Sequence, residues 1–526
     1  MGGRKKVLWV DDEIEFLRSH IMFLETRGYS VIPVFSGDDA LHVLTEKPGK
    51  FDLVLLDEQM PGKDGLTTLE EIKEMQPDLP VVMVTKSEEE RLMEDAFGRK
   101  IDGYLTKPVN PSQILSVCKR LLDSRQIMST QINQRFVRDY SENRVALSST
   151  MDARRWIRLF NNLTKWDLEL QNVEDEGLRQ THAGQRSDCN AVFAEFITEH
   201  YPAWVKGNKN PPLMSADIVE KVLFPRLQDD KKVFFIVLDC MRLDQYYAIE
   251  PLLRTYYSIQ RGCYFSLLPT STPFARNALF AGMYPQEISE QYPKLFKDLD
   301  EESDAHNKYE KKMLAEKLKS LGMSVKRDYP FEVIKNTRDS QKVLRNIPSY
   351  KKHPLVTIVV DFVDLLAHSR STSTILKEIA PDETAFRSLT SSWFQYSNLF
   401  QILRELARKD CTVILTTDHG STFCTRGTEV YGVESLAKNL RYKYGPKVTS
   451  DERHSIFLSD PTVYRLPVVA EENNCIIAKE NYYFVHPDKF ENYQEQYQNS
   501  FQHGGVSMEE MIIPLAIMEP KDAGKF

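Results

Sequence analysis

Residues 53–62 read LVLLDEQMPG: four apolar residues end at Asp57, and a Met-Pro-Gly turn follows. A short apolar run bounded by polar residues is typical of a strand buried on both faces. Similar runs, separated by helical patterns, occupy Val7 to Val10, Val31 to Val34, Val81 to Thr85 and Gly103 to Leu105. This alternation predicts a doubly wound parallel sheet from Lys6 to about Leu122.

Polar residues stand at the ends of these predicted strands. Asp11 and Asp12 follow the first strand, Asp57 ends the third, Thr85 ends the fourth, and Lys107 comes after the fifth. Ligands of such sheets bind beyond the carboxyl ends of the strands. Clustered carboxylates repel one another unless a hard cation such as Mg²⁺ neutralises them. A carboxylate held there is able to accept a phosphoryl group, with the lysine and threonine contacting its oxygens.

The ordered set of strand-end residues, with Met60-Pro61-Gly62 and Lys107-Pro108, resembles the response regulator receiver family. The resemblance implies a flavodoxin-like receiver over residues 1–122 that is phosphorylated by a partner histidine kinase. It also implies Mg²⁺ ligands, a phospho-acceptor and switch residues. These are Asp11, Asp12 and Asp57 for Mg²⁺, Asp57 for the phosphoryl group, and Thr85, Tyr104 and Lys107 for the switch. A cis peptide bond before Pro108 is expected.

The strand pattern stops after Leu122. Apolar residues then recur three and four apart, as in Ile157, Phe160, Leu163, Trp166 and Leu170. This spacing is typical of an amphipathic helix, and it predicts a helical-bundle connector over residues 123–210. The segment offers no catalytic motif. We expect it to transmit a change in the receiver or to supply a dimer contact.

Strand-like runs return at Val233, and Asp and His residues follow them. The predicted strands are Val233 to Leu238, Tyr264 to Leu268, Leu355 to Val360, Cys411 to Thr416 and Met511 to Met518. The residues beside their ends are Asp239, the run Thr270-Ser271-Thr272, Asp361, Asp364, His368, Asp418, His419 and His503. A parallel-type sheet would gather these side chains at one edge.

Three Asp and three His are enough ligands for two closely spaced ions, and this mixture favours Zn²⁺ or Mn²⁺ over Ca²⁺. Asp364 and His368 are four residues apart and would share one face of a helix. Asp361 is an alternative to Asp364 but lacks that spacing. A hydroxyl beside an ion would lose its proton readily and act as a nucleophile, and we prefer Thr272 over its neighbours Ser271 and Thr270.

The ordered set resembles the alkaline phosphatase superfamily, and His503-Gly504-Gly505 with the residues after it is most similar to the PglZ branch. The resemblance implies an alkaline phosphatase-like α/β core over residues 211–526, with Thr272 as the catalytic nucleophile at the start of a helix. It implies one Zn²⁺ on Asp239, Thr272, Asp418 and His419, and a second on Asp364, His368 and His503. Arg276, in the helix after Thr272, is a candidate for binding substrate.

Two segments, Gln286 to Pro354 and Gly427 to Tyr464, interrupt the pattern of the core and are expected to form cap insertions. In the second, Arg441 and Lys443 alternate with tyrosines. Cations interleaved with aromatic rings would hold a phosphodiester and stack a base, which would indicate a nucleotide or oligonucleotide substrate. A solvated basic face is the alternative interpretation.

Composition limits the remaining possibilities. The 526 residues are 41% hydrophobic and 27% charged, which suits folded domains, and the net charge of −8 argues against broad nonspecific binding to nucleic acid. No apolar run approaches the roughly 20 residues of a membrane helix. The seven Cys are scattered without Cys-x-x-Cys spacing. We therefore expect a soluble, cytoplasmic chain with reduced thiols and no membrane span.

Taken together, the three regions in this order resemble the PorX-like response regulators, which are associated with type IX secretion. The resemblance implies a homodimer on phosphorylation and an output domain that acts as a Zn²⁺-dependent phosphodiesterase or phosphatase. The alternative is a signalling adaptor in which zinc is structural and the third domain binds secretion-system or sigma-factor partners without turnover. A hydroxyl beside a complete ligand set favours the enzyme.

Overall fold

The computed structural model describes residues 4–47, 49–86, 101–173, 175–208, 210–229, 231–296, 309–323, 329–350, 352–432, 439–468 and 473–521. The chain divides into two compact units, Met1–Arg138 and Asp139–Phe526.

The apolar runs of the N-terminal region pair as a parallel sheet. The strands of the first unit are β1 (Lys5–Val10), β2 (Tyr29–Val34), β3 (Leu53–Asp57), β4 (Val81–Thr85) and β5 (Gly103–Thr106). All five strands predicted there are confirmed.

The order of this sheet is β2-β1-β3-β4-β5, which is the flavodoxin-like order. The central strands β3 and β4 are buried along their whole length, as continuous apolar runs require. The helices of the unit span Arg18–Glu25, Gly37–Glu46, Gly65–Met75 and Pro111–Cys118. A Cβ atom at Gly65 would lie 2.3 Å from the Asp57 carbonyl oxygen, so only glycine lets this helix start so close to β3.

The region after the receiver is helical, as predicted, with helices at Ser124–Leu147, Ala153–Leu170 and Glu176–Val205. Asp152 and Asp175 cap the second and third helices through hydrogen bonds to backbone amides. Trp156 and Phe193 contact each other edge to face, and Phe193 stacks on Phe265 of the next sheet. These two helices therefore share one hydrophobic core with the C-terminal region.

A six-stranded sheet forms the centre of the second unit, with the order β7-β19-β10-β6-β9-β8. Its strands are β6 (Val233–Leu238), β7 (Tyr257–Phe265), β8 (Phe331–Ile334), β9 (Leu355–Val360), β10 (Thr412–Thr416) and β19 (Ile512–Pro520). Strand β19 runs antiparallel to both of its neighbours, so the sheet is mixed. Its start lies at the edge where β6, β9 and β10 end. This reversal brings the residues just before β19 to that edge.

Two details of this sheet differ from the prediction. The strand expected at Tyr264 to Leu268 begins at Tyr257 and ends at Phe265. The apolar pattern did not reveal its first part, because most residues before its buried end are partly or fully exposed. The first predicted insertion also supplies β8, which pairs with β9 at the edge of the core sheet. An apolar run reveals neither the direction of a strand nor its neighbours.

The remaining elements surround this sheet. The helices are Phe224–Gln228, Leu243–Arg254, Thr272–Ala281, Pro285–Gln291, Glu310–Ser320, Thr337–Tyr350, Phe362–Thr372, Thr374–Ile379, Glu383–Tyr396, Asn398–Leu406, Phe490–Tyr497 and Met508–Met511. Three smaller sheets lie in the described part of this unit. One pairs β11 (Thr422–Cys424) with β18 (Ser500–Gln502), and the second contains β14 (Thr449–Ser450), β12 (Arg426–Tyr431) and β17 (Tyr482–Val485). The third contains β13 (Tyr442–Pro446), β16 (Asn473–Ala478) and β15 (Ser455–Leu458). Parts of both predicted insertions lie outside the described residues. Among the described helices, none combines the length and hydropathy needed to cross a bilayer.

Candidate phospho-acceptor site and candidate metal centre

Three carboxylates meet at the carboxyl edge of the first sheet. One oxygen from each of Asp11, Asp12 and Asp57 lies within 4.8 Å of the others. The Nζ atom of Lys107 lies 2.8 Å from Oδ2 of Asp57 and 2.8 Å from Oδ2 of Asp11. Because Asp11 and Asp57 are buried, one lysine leaves negative charge uncompensated. The donor set of this site fits Mg²⁺, which prefers carboxylate oxygens.

Burial raises the pKa of Asp57 above its ordinary value, and the neighbouring charge of Asp11 adds to the effect against the pull of Lys107. Burial by itself would lower the pKa of Lys107. Its bonds to the two carboxylates outweigh burial, so the pKa of Lys107 is raised. The lysine therefore stays charged beside the predicted phospho-acceptor.

The predicted switch residues occupy different surroundings. The hydroxyl of Thr85, which is buried, donates a hydrogen bond to Glu58. Tyr104 is half-buried on β5. The peptide bond between Lys107 and Pro108 is cis, as expected. The bond from Thr85 to Glu58 was not anticipated, because nothing in the sequence links these two residues.

A first group of possible metal ligands lies in the second unit, where β6 and β10 end. Asp239, Asp418 and His419 are all buried and bring one ligand atom each within 4.8 Å of the others. The buried Oδ1 of Asp239 and Oδ2 of Asp418 accept no hydrogen bond from any described residue. Burial, and next the charge of Asp418, raise the pKa of Asp239 well above its ordinary value. Two buried carboxylates facing each other in this way suit a cation.

His419 has a defined tautomer in this arrangement. Its Nδ1 lies 3.0 Å from the carbonyl oxygen of Gly420, which only accepts hydrogen bonds, so Nδ1 carries the proton. Burial lowers the pKa of His419 despite the charge of Asp418, which keeps the ring neutral. The lone pair of Nε2 is then available to a metal ion. The hydroxyl of Thr272 lies 3.3 Å from this Nε2 atom.

A second group of possible ligands comprises Asp364, His368 and His503. Asp364 and His368 lie one turn apart on the helix Phe362–Thr372, as the four-residue spacing predicted. The Nε2 atoms of the two histidines are 3.0 Å apart, and each lies 3.4 Å from Oδ1 of Asp364. Burial alone would raise the pKa of Asp364, but both histidines outweigh it and hold the pKa well below its ordinary value.

The two groups adjoin each other. The rings of His419 and His503 stack with their centroids 4.4 Å apart and their planes 25° apart. The six predicted ligands therefore lie in one place, although they come from segments spread over Asp239 to His503. Three carboxylates and three imidazoles fit Zn²⁺ or Mn²⁺ better than Ca²⁺. The residues present thus fit the two-ion centre that the resemblance implies.

The alternative residues that the sequence left open have different surroundings. Thr270 donates its hydroxyl to the carbonyl oxygen of Gly505 over 2.8 Å and is fully buried. Ser271 is also buried, and Thr272 is the half-buried first residue of the helix Thr272–Ala281. Of the three hydroxyls, that of Thr272 contacts a predicted ligand. Asp361 lies 3.4 Å from Arg276, whereas Asp364 contacts both histidines.

Arg276 was expected to bind substrate, but its guanidinium group lies in the interior. Nη1 donates to Oδ2 of Asp239 over 2.6 Å, and Nε donates to Oε1 of Glu310 over 2.8 Å. Arg276 and Glu310 are each 1% exposed. Glu310 was missed by the sequence analysis, because a lone glutamate in a charge-rich segment gives no signal. Arg276 holds a possible metal ligand, and we do not include it among the substrate-binding residues.

The basic and aromatic residues near Arg441 do not form a surface patch. Arg441, Tyr442 and Tyr444 are fully buried, and Lys443 is half-buried on β13. Arg441 donates to Oε2 of Glu510 over 2.6 Å and to backbone carbonyl oxygens. Arg441 therefore links separate segments of the chain in the interior of the domain. Arg441 is buried together with both tyrosines, so this segment no longer indicates a nucleotide substrate.

Comparison with known families agrees with these three regions. The profile described as the BREX system PglZ alkaline phosphatase-like domain matches residues 218–518, which is more than half of the chain. The response regulator receiver domain profile matches residues 7–119, and the PorX response regulator linker domain profile matches residues 126–205. The receiver, the helical linker and the alkaline phosphatase-like domain therefore follow one another as the sequence predicted.

Curated relatives match the receiver region. The chain is 35% identical over 117 residues to the transcriptional regulatory protein ResD of Bacillus subtilis, covering 22% of this chain and 48% of ResD. It is 32% identical over 130 residues to the sensor kinase CckA of Brucella abortus, covering 24% of this chain and 13% of CckA. The chain thus spans about half or less of the length of these relatives.

Among solved structures, the chain is similar to a CheY-like receiver domain protein from Methanospirillum hungatei. The match has 30% identity and a TM-score of 0.22, and it covers 23% of this chain and 94% of that one. The family matches give the domain order of a two-component regulator with a phosphatase-like output domain. The chain belongs to the PglZ alkaline phosphatase-like family, and it joins that domain to a receiver and a linker as the PorX-like response regulators do.

Proposed function

We propose that this chain is a response regulator whose output domain hydrolyses phosphodiesters or phosphomonoesters at a two-zinc centre. One observation carries the proposal. The Thr272 hydroxyl lies 3.3 Å from Nε2 of His419, beside two adjoining groups of metal ligands. A hydroxyl placed at a helix start next to such a ligand set is suited to attack phosphorus. The proposal assigns residues 1–122 to the receiver, 123–210 to the connector and 211–526 to the catalytic domain.

In this proposal Asp239, Thr272, Asp418 and His419 hold one ion, and Asp364, His368 and His503 hold the other. The bound ions supply Lewis acidity, which lowers the pKa of a hydroxyl and stabilises negative charge on phosphoryl oxygens. Thr272 provides the attacking oxygen. The neutral ring of His419, protonated on Nδ1, keeps its Nε2 lone pair directed at the same place.

The protein also contributes backbone groups to the binding of an anion. Thr272 begins a helix of ten residues, and the first amides of a helix carry partial positive charge. Pro273 occupies one of the first positions, where its missing N–H costs nothing. A phosphoryl group at Thr272 would therefore meet a favourable electrostatic environment. We keep the substrate at the level of a phosphoester, because the segment that suggested a nucleotide is buried.

We further propose that a histidine kinase phosphorylates Asp57 in the presence of Mg²⁺ held by Asp11, Asp12 and Asp57. Lys107 lies 2.8 Å from Asp57 and would pair with the phosphoryl oxygens. Phosphorylation would favour a homodimer and gate the output domain. The PorX-type linker supports a role in regulating type IX secretion.

The test combines metal analysis with turnover. Purified protein would be measured for zinc by mass spectrometry and assayed with bis-p-nitrophenyl phosphate and p-nitrophenyl phosphate. We expect two zinc ions per chain and hydrolysis that falls by on the order of a thousandfold or more in Thr272→Val. Ser271→Ala is the matched control, since its hydroxyl has no hydrogen-bond partner among the described residues. It should retain wild-type turnover.

Two results would contradict the proposal. Metal binding without turnover on any phosphoester would favour the adaptor, in which zinc is structural and the domain binds secretion-system or sigma-factor partners. Loss of turnover in Ser271→Ala but not in Thr272→Val would move the nucleophile to the other hydroxyl.

A further inference from the structure

A short helix after His503 joins several loops of the candidate metal centre. This helix, Met508–Met511, contains Glu510, whose Oε1 accepts a hydrogen bond from the amide of Gly505 over 2.8 Å. The Thr270 hydroxyl, which donates to the carbonyl oxygen of Gly505, lies 3.4 Å from the same Oε1 atom. Oε2 of Glu510 accepts from Arg441 over 2.6 Å. Gly505 lies two residues after His503, and Thr270 lies two residues before Thr272. One buried carboxylate therefore connects the loop of a metal ligand to the loop of the proposed nucleophile.

The same helix contacts the residue next to His419. The amide of Gly420 donates to the carbonyl oxygen of Glu510 over 3.0 Å. A Cβ atom at position 420 would lie 2.0 Å from the carbonyl oxygen of Glu509, so any other residue would push the two segments apart. The position of the helix Met508–Met511 thus sets the position of His419.

Glu509 is held from the opposite direction by the helix Glu176–Val205, here called the linker helix. Arg186 Nη2 donates to Oε1 of Glu509 over 2.5 Å, and Asn190 Nδ2 donates to Oε2 over 2.9 Å. The side-chain oxygen of Asn190 accepts from the amide of Met508 over 2.8 Å. Glu509 is 3% exposed, and each of its oxygens accepts a hydrogen bond from the linker helix.

Arg186 reaches the other side of the centre as well. It donates to Glu383 over 3.0 and 3.1 Å, and Glu383 accepts from Arg242 over 2.6 Å. Arg242 lies three residues after the ligand Asp239. Arg186 also donates to Asp167 of the preceding linker-region helix over 3.1 Å. Charges in such a network support one another only while each keeps its partner, because an unpaired buried charge is costly.

We propose that Arg186 and Asn190 of the linker helix are positioning residues for the metal centre, acting through Glu509 and the helix Met508–Met511. The linker region is then a working part of the output domain, as well as a connection to the receiver. The catalytic part of this inference rests on the proposed function. Its structural part, that the linker helix orders the ligand loops, does not.

The test uses the full-length chain with Arg186→Gln, Asn190→Ala and the control Arg179→Gln. Arg179 lies on the same helix and pairs with Glu176 at the surface. Hydrogen–deuterium exchange would follow peptides covering residues 417–422 and 503–511. We expect exchange there to accelerate by about tenfold in Arg186→Gln and less in Asn190→Ala, with no change in Arg179→Gln. Peptides of the receiver helix Gly65–Met75 should exchange as in the wild type.

Zinc affinity and hydrolysis of bis-p-nitrophenyl phosphate give the functional readouts. Partners that orient metal ligands typically contribute 10- to 100-fold in affinity or activity, and we expect a loss of that order in kcat for Arg186→Gln with KM unchanged. The double variant Arg186→Gln/Glu509→Gln removes both charges of this pair and should recover part of the loss, since Glu383 and Asp167 still lack Arg186. If turnover recovers in the double variant, misfolding of the linker helix does not explain the loss in Arg186→Gln.

The outcomes separate this inference from the proposed function. If both loop peptides exchange at wild-type rates in folded Arg186→Gln and Asn190→Ala, the linker helix does not position the centre and the inference is overturned. If the wild type proves unable to hydrolyse any phosphoester, the proposed function fails. Faster exchange and weaker zinc binding in Arg186→Gln would still support the positioning role.

Discussion

Arg276 donates a hydrogen bond of 2.6 Å to Oδ2 of Asp239, and Oδ1 of the same carboxylate accepts none from the described residues. One oxygen is thus held by the protein, and the other is left for a cation. Arg276 lies one helical turn after Thr272, so the two side chains share a face of the helix. The arrangement ties the proposed nucleophile to the proposed ligand within a rigid element.

Removing Arg276 should destabilise the second unit. Arg276→Gln leaves the buried carboxylates of Asp239 and Glu310 without their cation, and the loss of one partner of a buried pair costs about 3–5 kcal/mol. Urea unfolding would measure the change in the free energy of unfolding. Arg408→Gln, which removes a surface pair with Glu405, should stay within about 1 kcal/mol. Equal stabilities of the two variants would show that the buried network is not coupled to folding.

Glu310 should make stability depend on pH. Burial raises its pKa to about 7 despite Arg276, whereas the ordinary value is 4.5. The folded chain therefore binds a proton between these values that the unfolded chain releases, and the contribution of this group to stability is lost as the pH rises toward 7. The shift corresponds to about 3 kcal/mol.

Comparison of the wild type with Glu310→Gln isolates this effect. The stability of the variant relative to the wild type should increase by about 3 kcal/mol between pH 4.5 and pH 8, as measured by urea unfolding at each pH. Carboxylates far from Glu310 titrate alike in both proteins and cancel in the difference. A difference that stays constant with pH would mean that Glu310 is ionised throughout this range.

Metal stoichiometry should follow the division into two ligand groups. His503→Ala removes a ligand from the group of Asp364 and His368, and we expect about one transition-metal ion per chain in place of two. His454→Ala is the control, because that histidine contacts Thr428 and belongs to neither group. Mass spectrometry of the intact native protein would count the ions. Full retention of metal in His503→Ala would remove this histidine from the centre.

Phosphorylation should require Asp57 and Mg²⁺. Acetyl phosphate, as a small phosphoryl donor, is expected to add one phosphoryl group to the wild type and none to Asp57→Asn. Asp52→Asn serves as the control, since Asp52 belongs to the same region but contacts Lys5 and the amide of Lys6. The intact mass of each protein would show the product. Modification of Asp57→Asn at the wild-type level would place the acceptor elsewhere.

The sequence was informative wherever chemistry follows directly from local pattern. Buried strands appear in the sequence as short apolar runs, and the carboxyl ends of parallel strands meet at one edge of the sheet. Acids and histidines that directly follow such runs are therefore expected to lie close together. Asp239, Asp418 and His419 lie together for this reason. The four-residue spacing of Asp364 and His368 predicted that they would share one face of a helix, and both lie on the helix Phe362–Thr372.

The tertiary structure decided which carboxylate each arginine contacts. Arg276 pairs with Glu310, 34 residues away, and Arg186 pairs with Glu509, 323 residues away. Arg441 was predicted to be a surface cation next to a tyrosine, but it is fully buried and contacts Glu510. Long polar side chains find partners across the fold, and no local periodicity records which partner that is.

By itself, the sequence of this protein determined its three regions, the buried central strands of its two main sheets and the residue types gathered at their ends, because these depend on periodicity and on neighbours along the chain. The tertiary structure alone decided that β19 runs antiparallel and brings His503 to the ligand edge, that Thr272 rather than Thr270 contacts His419, and that the linker helix holds Glu509. Those relations depend on packing between segments far apart in sequence, where distance and burial select one partner among many.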